Sequence, residues 1–310
     1  MMGLEVREVV VGVEPCPEFF KSFVVIDSET SDTIVIDPGP AAGFEALVSE
    51  LDRLGVRKSV RGVIATHIHL DHYGAGPRLC RELGVKLYVH PRAVKHVVNP
   101  SKLWSSALEV LGEEAKALGK PEPLPPEMVV GVGDGEVLSL GSIDVAFMHT
   151  PGHAPHHLVA IARGMIFVGD ALGGYDRDLD VVFPTSPPGL RLDAYVESME
   201  RMLRSARARY TGFTHMCLAP GFEEFVSRHA RQLLAWIETI DELGGEKPSL
   251  ETLASRDVEL ARYLGRARCD RILRSFEHSL EGVYSEWTRI RSSGGGEGVI
   301  QRLRSMIVAR

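Results

Sequence analysis

The chain contains no run of about eighteen apolar residues, so no segment reads as a membrane-spanning helix. Its first residues, Met1 to Val13, place acids among valines and lack the basic-then-apolar order of a secretory leader, so the cytoplasm is the expected location. Cysteine is scarce. Cys16, Cys80, Cys217 and Cys269 stand far apart with no CxxC pair, which argues against a disulfide framework and a cysteine zinc knuckle; all four read as reduced thiols. Positive charge is not in excess. A formal net charge of -7 gives no general attraction to nucleic acid and leaves only a local basic patch in the Arg-rich C-terminal part to supply one. Side-chain amides are nearly missing, with Asn99 the one asparagine and Gln232 and Gln301 the two glutamines, a depletion that fits a thermophilic source.

What remains is an ordinary globular composition on 310 residues, long enough for one large core with an appendage. Short β-rich runs open the chain at Glu5 to Val13, Ser22 to Asp27 and Thr33 to Asp37. Phe44, Leu47, Val48, Leu51 and Leu54 then recur at helical spacing before Gly55, and a buried strand follows at Val60 to Thr66. A helix at Arg78 to Leu83, a strand at Lys86 to His90 and a helical stretch from Pro91 to about Leu118 come next. The last of these reads as an insertion over about 91–126, closed by prolines. Strands are expected at Ile143 to His149, Leu158 to Ala162, Met165 to Val168 and Tyr210 to Phe213, with a helix at Leu192 to Leu203. Beyond Gly221 apolar residues fall at threes and fours, ending in an amphipathic segment Val299 to Val308. The expected division is therefore an α/β catalytic domain over 1–221 and a helical appendage over 222–310.

The chemistry concentrates in Thr66-His67-Ile68-His69-Leu70-Asp71-His72, a loop between a buried strand and a helix. In extended backbone His67 and His69 point to one side, and Asp71 and His72 lie where the chain turns, so four ligand-type side chains can serve two metals. Imidazoles with carboxylates suit zinc and also accept iron or manganese. Further ligand-type residues follow later strands: His153 in Thr150-Pro151-Gly152-His153, Asp170 after Gly169, and His215 after Thr214. Each alone is more often a structural histidine or a turn aspartate than a ligand; together they converge on strand ends, where a scaffold holds ligands rigidly.

With these residues in this order, the sequence resembles the metallo-β-lactamase-fold superfamily over roughly residues 5 to 220. The resemblance implies an αββα sandwich in which His67, His69 and His153 bind one metal. Asp71, His72 and His215 would bind the other, and Asp170 would bridge them. Asp37 in Ile36-Asp37-Pro38-Gly39 matches an early aspartate of the family that would orient a ligand histidine. The HxHxDH form and the helical C-terminal region look most like glyoxalase-II-type thioesterases and the lactonases, which implies that a hydroxide bridging two divalent ions, most readily Zn2+, hydrolyses a small thioester, lactone or ester. Asp71 would then also be a catalytic proton shuttle, with Tyr175 a candidate hydrogen-bond donor to the substrate carbonyl. The alternative within the resemblance is an oxidoreductase like the persulfide dioxygenases, which holds a single iron. His90, His96, His156, His157, His229 and His278 are not expected as ligands. The segments 99–126, with Trp104, and 173–189, with Tyr175 and Phe183, are expected to shape the pocket. A small-molecule substrate is the expected partner, and the C-terminal helices could cover the pocket, form a homodimer or cap the core.

Overall fold

The computed structural model describes residues 3–266 and 269–307. Strands β1 (Leu4–Val10), β2 (Lys21–Asp27), β3 (Thr33–Ile36), β4 (Val60–Ile64), β5 (Leu87–Val89) and β6 (Val129–Gly131) form one sheet in that order. The first three pair antiparallel, β1 and β2 through a connection over 11–20 that holds a helical turn at Pro17–Phe19, β2 and β3 through a short turn. From β3 onward the pairing is parallel, so each connection must cross over and carries helix. These helices are α1 (Phe44–Arg53), α2 (Leu70–Tyr73), α3 (Gly76–Leu83), α4 (Val94–Val98), α5 (Ser101–Leu111) and α6 (Glu113–Leu118).

The second sheet contains β7 (Val137–Leu140), β8 (Ile143–His149), β9 (Leu158–Ala162) and β10 (Met165–Phe167). A separate hairpin, β11 (Gly174–Asp176) with β12 (Val181–Phe183), and α7 (Leu192–Ser205) then lead to β13 (Tyr210–Phe213) and β14 (Cys217–Pro220). Its spatial order is β14-β13-β10-β9-β8-β7. The C-terminal part is helical: α8 (Glu223–Glu242), α9 (Leu250–Ala254), α10 (Val258–Leu264), α11 (Asp270–Ser292) and α12 (Glu297–Met306).

Alternation along the strands decides which side chains enter which layer. Phe23, Val25, Ile34 and Ile36 meet Val145, Phe147, Ala160 and Phe167 between the sheets, whereas Val24, Ile26 and Val35 face outward under helices. Covered on both faces, these strands are nearly continuous apolar runs, and each buried Phe or Ile contributes roughly 1.5–3 kcal/mol. The result is the αββα sandwich that the sequence leads one to expect, with helices added at the C-terminus.

The structure differs from the sequence reading at particular points. The helical insertion is broken into α4, α5 and α6, because Pro100 follows Asn99 in extended backbone and Gly112 turns the chain at φ 56°. The hairpin β11–β12 and the strands β6, β7 and β14 lie where no strand is expected, since each is only three or four residues long. The last helix ends at Met306, and Val308 of the expected segment lies outside the described residues. The C-terminal helices share their apolar core with the rest: Trp236, Phe276 and Trp287 belong to the same buried cluster as Leu47 and Val182. Among the described residues no helix is long and apolar enough to cross a membrane.

The cysteine expectation is corrected in part. Cys16 and Cys269 form a disulfide, 253 residues apart in sequence with Cα atoms 6.2 Å apart. Sequence spacing could not reveal it, because the partners meet only when the start of α11 docks beside the turn at Pro17–Phe19. Arg271 makes the same junction, lying over the Phe20 ring at 5.3 Å and pairing with Glu114 of α6. Cys80 and Cys217 are buried free thiols; burial raises both, that of Cys217 to about 12. Replacing Cys16 by Ser is expected to lower stability by about 2–4 kcal/mol, as closing so long a loop restricts the unfolded chain. Urea unfolding of wild type and C16S under oxidising and reducing buffers checks this: only the wild type should respond to reductant.

Candidate metal centre

Strands from both sheets end at one edge of the sandwich. β4 runs out at Ile64, the chain bends at Thr66 and His67 before His69, itself in extended conformation (φ -68°, ψ 152°), and the single turn of α2 then brings round Asp71 and His72. The loops after β8, β10 and β13 deliver His153, Asp170 and His215 to the same place. A backbone bond from Leu158 N–H to the Thr66 carbonyl, at 2.8 Å, stitches the two sheets together there.

The seven residues form two groups, His67, His69, His153 and Asp170 in one and Asp71, His72 and His215 in the other. His69 Nδ1 lies 2.9 Å from His67 Nε2 and 3.0 Å from His153 Nε2. Asp170 stands between the groups. Its Oδ2 is 3.2 Å from His153 Nε2 and 3.9 Å from His67 Nε2, while its Oδ1 is 3.3 Å from His72 Nε2 and 3.1 Å from His215 Nε2. Asp71 Oδ2 is 3.6 Å from both His72 Nε2 and His215 Nε2.

A buried layer behind these groups fixes which ring nitrogen faces the site. Asp37, fully buried at φ 48°, accepts from Thr66 N–H at 2.7 Å, Thr66 Oγ1 at 2.9 Å and Thr214 Oγ1 at 2.5 Å. His72 Nδ1 donates to the same carboxylate at 2.8 Å, leaving the Nε2 lone pair of His72 aimed at the centre. Thr66 Oγ1 is already spent as a donor, so it accepts from His67 Nδ1 at 3.2 Å. His153 Nδ1 donates to the Thr185 carbonyl at 2.5 Å. Asp170 is held by its backbone: its N–H donates to His157 Nε2 at 3.1 Å, and its carbonyl accepts from Tyr195 Oη at 3.0 Å. At Gly169 (φ 49°) a Cβ would stand 2.4 Å from Thr66 Oγ1 and 2.9 Å from His157 Nε2, so only glycine lets Asp170 follow so closely.

The donor set fits cations. Lone pairs of neutral imidazoles about 3 Å apart repel one another unless a positive charge lies between them, and that spacing suits donors about 2.1 Å from one ion. His72 Nε2 and Asp170 Oδ1 are buried without a hydrogen-bond partner, which costs free energy that a metal would relieve. Burial pushes His69 and His153 down to about 4 and His67 well below its usual value, so these nitrogens are unprotonated at neutral pH. In His72 the burial effect is outweighed by the carboxylates of Asp170, Asp71 and Asp37, and its pKa rises. Burial would raise Asp170, but His153, His215 and His72 hold it well below the usual carboxylate range.

Tyr175 requires a correction. It is not among the residues lining the cavity above the centre; its hydroxyl donates to Asp180 at 3.1 Å and its ring packs 4.8 Å from Phe225. As the middle residue of β11 it is fixed in the hairpin and turned towards α8. His157, not expected as a ligand, stands directly before β9, where it is wholly buried and supports Asp170; its place beside a strand covered on both faces was the available signal. The insertion contributes Leu103, Ala107 and Leu111 to the cavity but not Trp104, and the 173–189 segment contributes Thr185, Ser186, Pro187 and Pro188 but not Phe183.

Asp37→Asn should keep the fold, since asparagine tolerates positive φ, while turning an acceptor into a group that faces three donors. Metal affinity is expected to fall about 10–100-fold, read by competition with a chromophoric chelator; unchanged affinity would deny Asp37 its orienting role. The metal-stripped protein should also be acid-sensitive. His67, His69, His153, His157 and His229 titrate below free imidazole in the fold, so the unfolded chain takes up protons first as pH drops. Stability present above about pH 6.5 is then lost towards about pH 4, opposed by His72 alone among these histidines. Thermal melts of chelator-treated protein across that range check it, and a flat or rising Tm on acidification would contradict it.

The chain is similar in sequence and fold to known proteins. The sequence profile of the metallo-beta-lactamase superfamily matches residues 17–213. A metallo-beta-lactamase fold-containing protein of Sulfurisphaera tokodaii is 31% identical over 207 residues, covering 66% of this chain and 75% of that protein. Hydroxyacylglutathione hydrolase GloC of Haemophilus influenzae is 28% identical over 173 residues, covering 54% and 75%. Among solved structures, an archaeal metallo-beta-lactamase superfamily protein from Sulfolobus tokodaii superposes with a TM-score of 0.69 at 26% identity, covering 90% of this chain and 98% of its own. A family protein from Thermus thermophilus gives 0.63 at 19% identity with 95% of each covered, a likeness of fold. With the fold, the gathered histidines and aspartates and the matched profile together, the chain belongs to the metallo-beta-lactamase superfamily.

Proposed function

We propose that this protein is a metal-dependent hydrolase that cleaves a small thioester, lactone or ester at a centre of two divalent ions. The carrying observation is the division of the Asp170 carboxylate, one oxygen towards His67 and His153 and the other towards His72 and His215. A site for a single ion has no use for that arrangement, which weighs against a mononuclear iron oxidoreductase. In this reading His67, His69 and His153 hold one ion, Asp71, His72 and His215 the other, and Asp170 both. Bound there, two ions such as Zn2+ would supply Lewis acidity and a water ionised near neutral pH.

The chain's own groups do the rest. Asp71 is the most exposed carboxylate of the set, its side chain 20% accessible, and it lines the cavity, so it can take up the proton of the attacking water and pass it to the leaving group. Phe19 and Phe20 pack against His215 with ring centroids 4.8 and 5.4 Å away and exclude water from one side, which strengthens the field of the charged groups. The relative named hydroxyacylglutathione hydrolase supports thioester chemistry. We place the reaction in the cytoplasm of a thermophile, where intracellular proteins of hyperthermophiles carry disulfides such as Cys16–Cys269.

Purified protein stripped and reloaded with zinc, assayed on thioester, lactone, β-lactam and phosphodiester panels, tests the proposal. Thioesters or lactones should turn over, chelator should abolish the rate, and Asp71→Asn should lower kcat by about 10²-fold or more. Oxygen uptake with a persulfide by a one-iron form, or no turnover of any panel member by metal-replete protein, would overturn it.

A further inference from the structure

The metal centre forms the floor of a cavity of about 360 Å³ whose walls differ in chemistry. One wall is helix α5. It has the composition of an amphipathic helix, yet none of its residues is fully buried, which is unusual for a helix with Leu103, Trp104, Leu108 and Leu111 on it. Leu103, Ala107, Val110 and Leu111, at spacings of four, three and one, share one face and line the cavity. Val110 is 75% exposed, the most exposed large apolar side chain among the described residues. Phe19, Phe20 and Leu118 continue this apolar surface down to the floor beside His215.

The opposite wall is polar. It carries Arg274, Ser275, His278 and Ser279 of α11, and the side chains of Arg274 and His278 have no hydrogen bond or ion pair with any described residue. Near the floor the hydroxyls of Thr185 and Ser186 are buried without partners, next to the carbonyl that positions His153. A molecule reaching the metal ligands can lay its apolar part along α5, whose apolar face continues through Leu118, Phe19 and Phe20 to the floor.

We propose that the substrate is an acyl thioester or ester bearing a straight aliphatic chain, with the reacting carbonyl over the metal ligands and the chain lying along α5. This deepens the hydrolase reading above and rests on it. α5 is the specificity-determining element: its apolar face replaces water around the chain, and each buried methylene contributes about 0.8 kcal/mol. The eight residue steps from Leu103 to Leu111 span about 12 Å of helix, room for a chain of several methylenes rather than an acetyl group.

The test is a chain-length series of N-acetylcysteamine thioesters from acetyl to decanoyl on the zinc-loaded protein, compared with Ala107→Trp and Leu103→Glu. In the wild type kcat/KM should rise about fourfold per methylene over the first several members, the conversion of about 0.8 kcal/mol at 1.36 kcal/mol per decade. The octanoyl-to-acetyl ratio should collapse at least tenfold in both variants, with intact circular dichroism and wild-type metal content. A flat series in an active wild type would overturn the groove and leave the hydrolase reading standing. If no thioester turns over, calorimetric titration with sodium decanoate decides the groove separately: binding by the wild type lost in A107W supports it, and no binding overturns it, whereas the hydrolase reading itself fails only if lactones and esters are inert as well.

Discussion

Asp37 has no exposure to solvent, yet it receives hydrogen bonds from Thr66, Thr214 and His72, groups that reach it from both sheets and from the turn after β4. Burying a carboxylate without such donors would cost several kcal/mol; with them it ties the end of β3 to the ends of β4 and β13. Every other feature of the centre hangs from this junction. It fixes His72 in one tautomer, it sets Thr66 to receive His67, and through Thr66 it bears on Gly169, which has no room for a side chain. The polar cluster could not persist in a core of Val, Ile and Phe unless each donor and acceptor had a partner or pointed at a charge.

The same logic explains what was readable in the sequence. Strands covered on both faces are rich in apolar residues whether they pair parallel, as β4 does, or antiparallel, as β2, β8 and β9 do, so all four announce themselves, and polar residues at their ends stand out against that background. His67, His69, Asp71 and His72 fall within a single loop, which makes them legible without any knowledge of the fold. His153, Asp170 and His215 are legible only because each follows a strand. The supporting layer left less trace. His157 looks like one more polar residue beside Pro155 until β9 is covered on both sides, and Thr66 and Thr214 are ordinary loop threonines until Asp37 lies between them. Tyr175 misled for the opposite reason: closeness to Asp170 in sequence says nothing about direction, and the three-residue strand β11 turns its ring onto Phe225 and Arg228.

The C-terminal helices take part in the same economy of space. α8 places His229 beside the Tyr195 hydroxyl that supports the Asp170 carbonyl. α11 supplies the polar wall of the cavity and is anchored by Cys269 and Arg271 to the N-terminal turn that carries Phe19 and Phe20. A boundary drawn at residue 221 therefore marks where strands end rather than where one structural unit stops. No spacing rule could have connected Cys16 with Cys269, because their meeting is a consequence of tertiary packing.

The central claim is that one carboxylate, Asp170, divides seven side chains into two adjoining cation sites. Calorimetric titration of the metal-stripped protein with Zn2+ tests this most directly. The account predicts two equivalents per chain, with Asp170→Ser weakening both. Saturation at one equivalent, or an Asp170 variant that still takes up two ions with wild-type affinity, would contradict it.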